Sequence, residues 1–291
     1  MMTDQATELR RMVAGMGGAS SDAPARRAAR VVAITSGKGG VGKTNVAVNL
    51  AARLARMGRR VIVLDADLGL ANADVVCNVG SSGNLAHVVA GRRKLEDVMV
   101  DAPGGFSLIP GASGLSQMAA LSEFERARLL QMLRQIETEH DLIIIDTGAG
   151  ISPNVLSFVL AADEMLIVTT PEPTSIADAY AMIKTISRRN EAAKVGLLVN
   201  MAKDRAEARR VFERMNAVCR RFLGLSPTSA GYVVVDPHVP LAVRRRRLFV
   251  LEYPECPAGV CMTQLAHRLD RHAAEPRESG FFQRVASWLA G

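Results

Sequence analysis

The sequence predicts one doubly wound α/β domain, a mostly parallel sheet flanked by helices, and three observations carry that expectation. From Val31 onward, short β-rich apolar runs alternate with longer amphipathic segments, the pattern of parallel strands joined by crossover helices. A G-x-x-x-x-G-K-[ST] stretch, Gly37 to Thr44, lies between the first apolar run and the first amphipathic segment, where a phosphate-binding loop belongs. Acidic residues follow two further runs, Asp65 and Asp67 after Val61 to Leu64 and Asp146 after Leu142 to Ile145. They would collect at the carboxyl edge of the sheet, where open α/β sheets bind ligands.

Taken in order, the expected strands are Val31 to Thr35, Val61 to Leu64, Phe106 to Ile109, Leu142 to Ile145, Met165 to Thr169, Val195 to Val199 and Tyr232 to Val235. Helices are expected over Thr44 to Met57, Glu123 to Glu139, Pro153 to Ala161, Ser175 to Asn190 and Arg205 to Leu223. Each apolar run is short and rich in Val and Ile, and each intervening segment carries apolar residues at helical spacing. Three regions follow. Residues 1–29 hold a short helical element and a Gly- and Ser-containing linker, residues 30–270 form the α/β domain, and residues 271–291 form a polar linker and a final amphipathic helix.

The 291 residues, 48% hydrophobic and 22% charged, exclude a largely disordered, collagenous or coiled-coil chain. No apolar run approaches the ~20 residues of a membrane span, and the first 30 residues lack the apolar core of a signal peptide, so the cytoplasm is the expected compartment. Four irregularly spaced cysteines, Cys77, Cys219, Cys256 and Cys261, read as free thiols. The net charge is +7, and residues 201–291 hold 15 Lys and Arg against 9 Asp and Glu. That bias suits either an acidic partner or a solvated Arg-rich face.

In the loop, Gly37, Gly39, Gly40 and Gly42 let backbone N–H groups turn inward around a phosphate, with Lys38 and Val41 between them. Lys43 would reach the β- and γ-phosphates, Thr44 would ligate Mg²⁺, and Asn45 opens the helix beside them. Asp146 would hold the Mg²⁺ shell, and one of Asp65 and Asp67 could orient the attacking water. The turn Thr147 to Gly150 could bring the Gly150 N–H to a γ-phosphate. Asp236, after the last strand, joins the expected nucleotide contacts.

The loop SGKGGVGKT, with its extra Lys38, resembles the deviant Walker A motif of the MinD/ParA class of P-loop ATPases. LDADLGLAN at Leu64 to Asn72, DTGAGIS at Asp146 to Ser152, EPTSIADAYAMIK at Glu172 to Lys184 and LVNM at Leu198 to Met201 narrow this. Together they are similar to the FlhG (FleN, YlxH) branch, the flagellar-number ATPases. Asp4, Gln5, Ala6, Leu9 and Arg10 match the DQAxxLR element that the branch places before its ATPase domain. The resemblance implies ATP/ADP and Mg²⁺ as ligands. It implies Lys38 as the lysine that crosses to a second subunit, Asp67 as the acid that positions the attacking water, Asp65 as a Mg²⁺-linked or supporting acid, and Asn200 as the reader of the adenine edge. One departure is Gly148, where the family more often carries Ala. The irregular cysteines fit no nitrogenase-type iron–sulfur cluster.

For the two ends, the resemblance implies switches. Phe281, Phe282, Val285, Trp288 and Leu289 form one apolar helical stripe, which could lie in an anionic membrane surface or dock on the domain itself. The N-terminal element would activate the GTPase FlhF, with Gln5 entering its GTP site. An ATP-dependent homodimer on the inner membrane face would alternate with a cytoplasmic ADP or apo form. Flagellar switch-complex proteins and a flagellar transcription activator are further implied partners. No specific nucleic acid is expected, because the run Arg244 to Arg247 lacks interleaved aromatics. The rival readings are a ParA-type DNA-segregation ATPase, a MinD-type division-site regulator and a nucleotide-holding module without turnover.

Overall fold

A computed structural model describes residues 29–67, 72–80, 82–111, 123–271 and 280–290. The N-terminal element, Asp4 to Arg10, lies outside them. Eight strands form one sheet in the order β3-β4-β2-β5-β1-β6-β7-β8. They are β1 (Arg30–Ser36), β2 (Val61–Ala66), β3 (Val100–Ala102), β4 (Phe106–Ile109), β5 (Leu142–Ala149), β6 (Glu164–Thr169), β7 (Val195–Ala202) and β8 (Thr228–Val234). All neighbours run parallel except β3, an edge strand antiparallel to β4. The seven expected strands are all present. β3 was not expected, because three residues give too short a run to show alternation.

The register builds the site. In the pairing of β2 with β5, Asp65 faces Asp146, and in the pairing of β1 with β5, Ile34 faces Asp146. Because β5 lies between β1 and β2, the loop after β1 and both acids meet at one edge. β1, β2 and β5 are buried along nearly their whole length, as continuous apolar runs of a sheet covered on both faces must be.

Helices cover each face. On one, α1 (Lys43–Arg56) packs beside the C-terminal α11 (Pro257–Arg271). The other carries α5 (Glu123–Glu139), α6 (Pro153–Ala161), α7 (Pro173–Arg189), α8 (Arg205–Leu223) and α12 (Phe281–Ala290). Five short helices complete the described residues: α2 (Ala73–Cys77), α3 (Leu85–Val89), α4 (Leu95–Val98), α9 (His238–Arg244) and α10 (Phe249–Glu252). α7 starts two residues earlier than expected, because Pro173 occupies a first-turn position that needs no N–H. The run Arg244 to Arg247 only ends a helix: α9 stops at Arg244, and Arg246 takes a left-handed φ of 52°.

α12 is seated on its own domain. Phe281, Phe282 and Val285 are buried against the layer of α5 and α6, and withdrawing each side chain from water contributes roughly 1.5–3 kcal/mol. Polar contacts fix the orientation. The Glu137 carboxylate accepts the Phe282 N–H at 3.0 Å, Arg284 donates to the Ala161 carbonyl at 2.8 Å and to Asp163 at 3.2 Å. Trp288 and Leu289 continue the helix.

Candidate functional site

The loop between β1 and α1 contains the chemistry expected of a phosphate cradle. Gly40 and Gly42 have φ of 77° and 89°, left-handed conformations that a side chain would strain. Gly37 is needed for a different reason. A Cβ there would collide with the backbone carbonyl of Asp178 on α7, so the loop's first residue is packed directly on a helix. Gly42 then caps α1, whose positive end points at the cradle. Asn45 stands half-buried in the first turn, its carbonyl accepting Asn49 Nδ2 at 2.8 Å.

Lys43 is buried. Desolvation lowers its pKa, opposed by the nearby carboxylates of Asp146 and Asp67. Asp146 is buried as well, and desolvation pushes its carboxyl up to about 7, against a hydrogen bond from the Thr44 side chain and the charge of Lys43. Its Oδ1 is buried and has no hydrogen-bond partner. A buried carboxylate oxygen left unmatched beside a threonine hydroxyl is the donor set a hard Mg²⁺ ion takes, so these residues fit the cation that the loop implies.

Asp65 is turned to its own loop. Its oxygens accept the N–H groups of Asp67 at 3.2 Å, Asn72 at 2.9 Å and Ala73 at 3.0 Å, and burial raises its pKa to about 6. It therefore organises the chain that carries Asp67. Asp67 stands beside Gly148, where an added Cβ would lie 3.4 Å from its Oδ1, an ordinary contact, so the position would accept an alanine as well as the glycine. The Gly150 N–H donates to the Ser36 carbonyl at 2.9 Å, which ties the turn after β5 to the end of β1.

Three expected residues have partners within the chain. Asn200 Nδ2 donates to the Val41 carbonyl at 2.8 Å, leaving its amide oxygen for a base edge. Asp236 accepts the Ala258 N–H at 3.0 Å with one oxygen and the His238 N–H and imidazole with the other, so one oxygen faces the start of α11 and the other the start of α9. Lys38 is held within its own chain, its Nζ 3.0 Å from both Glu172 Oε2 and Thr174 Oγ1. In the sequence Glu172 and Thr174 stand out only as part of the EPTSIADAYAMIK stretch. Their role shows once β6 delivers them next to the loop.

The comparisons with known proteins agree with this geometry. A family model described as an AAA domain matches residues 29–198. The antiactivator FleN of Pseudomonas aeruginosa is 43% identical over 83% of this chain and 86% of its own. The chain belongs to the FlhG/FleN family. The flagellum site-determining protein YlxH of Helicobacter pylori is 35% identical over 89% of this chain and 90% of its own. Among solved structures, the septum site-determining protein MinD of Pyrococcus horikoshii, complexed with Mg-ADP, superposes with a TM-score of 0.66 at 25% identity. It covers 84% of this chain and 96% of that one. A chain of the MinC:MinD cell division protein complex of Aquifex aeolicus gives 0.67 at 26%, covering 86% and 99%.

This FlhG/FleN-family chain is accordingly a MinD-like ATPase that takes a nucleotide with Mg²⁺ and regulates flagellar number. Away from the loop, the same protein carries a cleft of about 810 Å³ between α7 and α8, lined by Tyr180, Lys184, Arg188, Phe222 and Leu225. Among the described residues no helix is long and apolar enough to cross a membrane.

Proposed function

We propose that this ATPase is a switch in which ATP closes a homodimer and frees α12 for an anionic membrane, while ADP returns a monomer with α12 docked. Lys43, Thr44 and Asp146 hold the Mg²⁺-nucleotide, Asp67 orients the attacking water, and Lys38 crosses to the partner's phosphates. The Mg²⁺ ion supplies charge neutralisation at the phosphates. The protein residues bind, orient and exclude water.

The observation that carries the reading is the burial of Phe281, Phe282 and Val285 against α5 and α6. A helix whose apolar stripe is already covered can enter lipid only by leaving its seat, so membrane binding requires a competing state. α6 links the two ends: Ser152 caps its start, directly after the Asp146 to Gly150 turn, and Arg284 holds its last carbonyl at Ala161. A γ-phosphate that reorders the turn would shift the population only through contacts absent with ADP.

The N-terminal element would serve a second protein, the GTPase FlhF, with Gln5 in its nucleotide site. Lys184, Arg188 and the exposed Phe222 of the α7–α8 cleft suit an acidic, partly apolar face of a switch-complex protein or transcription activator. The deciding experiment measures ATP hydrolysis with anionic liposomes and, separately, with DNA. Stimulation by lipid alone supports the switch, and stimulation by DNA alone would replace it with a DNA-segregation activity.

A further inference from the structure

We propose that Asp236, His238 and Cys256 form a site for a thiophilic divalent cation of the Zn²⁺ class, distinct from the Mg²⁺ position beside the nucleotide loop. Their ligand atoms, one carboxylate oxygen, one imidazole nitrogen and one sulfur, all lie within 4.8 Å of one another. Tetrahedral Zn²⁺ with bonds of about 2.0–2.3 Å needs ligand separations of roughly 3.3–3.8 Å, so the Asp236–His238 pair, 2.8 Å apart in its hydrogen bond, opens by about 0.5 Å and separations near the 4.8 Å limit close by about 1 Å. One sulfur and one imidazole select a borderline-soft cation over Mg²⁺, which prefers oxygen.

The fold places the three residues for reasons of its own. β8 ends at Val234, so Asp236 and His238 lie on the turn into α9. Cys256 immediately precedes α11, and its carbonyl accepts the Val260 N–H at 2.9 Å, which makes it the N-cap. Its sulfur accepts the Gly259 N–H at 3.3 Å. A backbone donor to the sulfur and the positive end of a 15-residue helix both favour a thiolate. The Ala258 N–H orients Asp236 through its second oxygen, the outer-shell contact that fixes a ligating carboxylate.

The charge state matches such a site at Asp236, whereas Cys256 has to lose its proton to the cation. Desolvation pushes the Asp236 carboxyl up, but the N–H groups of Ala258 and His238, the imidazole and the Cys256 thiol together outweigh it and hold it at about 2. Burial keeps the Cys256 thiol above its ordinary value while no cation is present. The cation replaces two protons at the cluster. The thiol proton leaves to solvent, and the imidazole proton moves from Nδ1 to Nε2, which water can reach because the His238 side chain is 43% exposed. That exposure also provides the entry path and room for water as a fourth ligand. Tyr253, 4.7 Å from His238 between ring centroids, supports the ring. A bound ion would pin the turn after β8 to the first turn of α11.

The test uses the full-length, reduced chain with excess Mg²⁺ and no nucleotide. Zn²⁺ is titrated against a chromophoric chelator, and Co²⁺ binding is followed through the near-ultraviolet sulfur-to-cobalt band. One ion per chain and a sulfur–cobalt band are expected, with at least about tenfold weaker binding for Cys256→Ser and for His238→Ala, and no change for Cys77→Ser or Cys261→Ser. Absence of the sulfur–cobalt band from the wild-type chain overturns the site, whatever the variants do. Undiminished binding by folded Cys256→Ser and His238→Ala chains overturns it equally.

Discussion

The guanidinium of Arg284 and the carboxylate of Asp163 meet at 3.2 Å, and the other oxygen of Asp163 accepts the Val31 N–H at 2.7 Å. One aspartate thus joins the last helix to the strand that leads into the nucleotide loop. Both side chains are largely withdrawn from water, so the pair is not one of the solvated surface contacts worth almost nothing.

Breaking that contact should loosen α12. Arg284→Ala removes the donor to Asp163 and to the Ala161 carbonyl, a loss of about 1–2 kcal/mol that converts to roughly 5- to 30-fold in the docked-to-released ratio. Sedimentation with anionic liposomes in ADP should rise by up to that factor. Phe282→Glu should instead abolish sedimentation in every nucleotide state, because a carboxylate in the interface is costly. Equal lipid binding by wild type and Arg284→Ala in ADP would mean the docked helix is not what restrains membrane association.

The buried acids set a pH dependence. Burial raises Asp146 to about 7 and Asp65 to about 6 from 3.8, and Glu137 is raised for the same reason. Between about pH 4 and pH 7 the folded chain therefore binds more protons than the unfolded one, so its stability falls as pH rises through that window. The nucleotide-free protein should melt at lower temperature at pH 8 than at pH 5. Asp146→Asn should flatten the slope and exceed wild type by a few degrees at pH 8. Identical slopes in calorimetry would show that Asp146 does not carry the effect.

The nucleotide loop was legible because its chemistry is local. Gly37 to Thr44 is contiguous, and strand–loop–helix context decides it. The acids Asp65 and Asp146 were legible as strand ends, although only the sheet order shows that they pair across β2 and β5. α11 was not among the expected helices despite buried Ala258, Met262, Leu265, Ala266 and Leu269 at helical spacing, since Pro254, Pro257 and Gly259 interrupt the pattern where the helix starts. The same Gly259 is in fact required, since a Cβ would lie 2.7 Å from the Pro254 carbonyl. The seat of α12 was illegible in principle: a nine-residue apolar stripe looks the same whether its cover is lipid or α5 and α6. Long-range pairs such as Glu137 with Phe282 leave no mark on neighbouring sequence.

Packing at Gly37 yields a test independent of the phosphate itself. Gly37→Ala must displace either the loop or the Asp178 carbonyl, and main chain on both sides gives way poorly. Nucleotide affinity measured by calorimetry should fall at least tenfold, about 1.4 kcal/mol, while circular dichroism keeps its native shape. Unchanged affinity would indicate that α7 yields.

Lys43 and Asp67 should separate binding from turnover. Lys43→Ala removes the buried cation aimed at the phosphates and should abolish detectable ATP binding. Asp67→Ala leaves Lys43, Thr44 and Asp146 in place, so ATP should bind within a few-fold of wild type while hydrolysis falls by about 10²-fold or more. The variant should accumulate as a dimer in size-exclusion chromatography with ATP. A monomer that hydrolyses at the wild-type rate would remove Asp67 from the mechanism.

Lys38 provides the sharpest test of the dimer, because its present partners, Glu172 and Thr174, are on its own chain. Lys38 is 39% and Glu172 66% exposed, and a solvated pair of this kind is worth between nothing and about 1 kcal/mol, so a second subunit's phosphates can draw the lysine away. Lys38→Ala and Asp67→Ala chains should each be inactive alone. If the lysine acts across the interface, a mixed dimer has one complete site. The subunit carrying Lys38→Ala retains its own Asp67 and receives Lys38 from its neighbour. An equal mixture should then recover about a quarter of wild-type activity, since half the dimers are mixed and each has one working site of two. If the lysine serves its own subunit, every site in the mixture lacks one residue or the other and no activity returns. Recovery of ATP hydrolysis on mixing therefore decides whether the switch is built from two chains or from one.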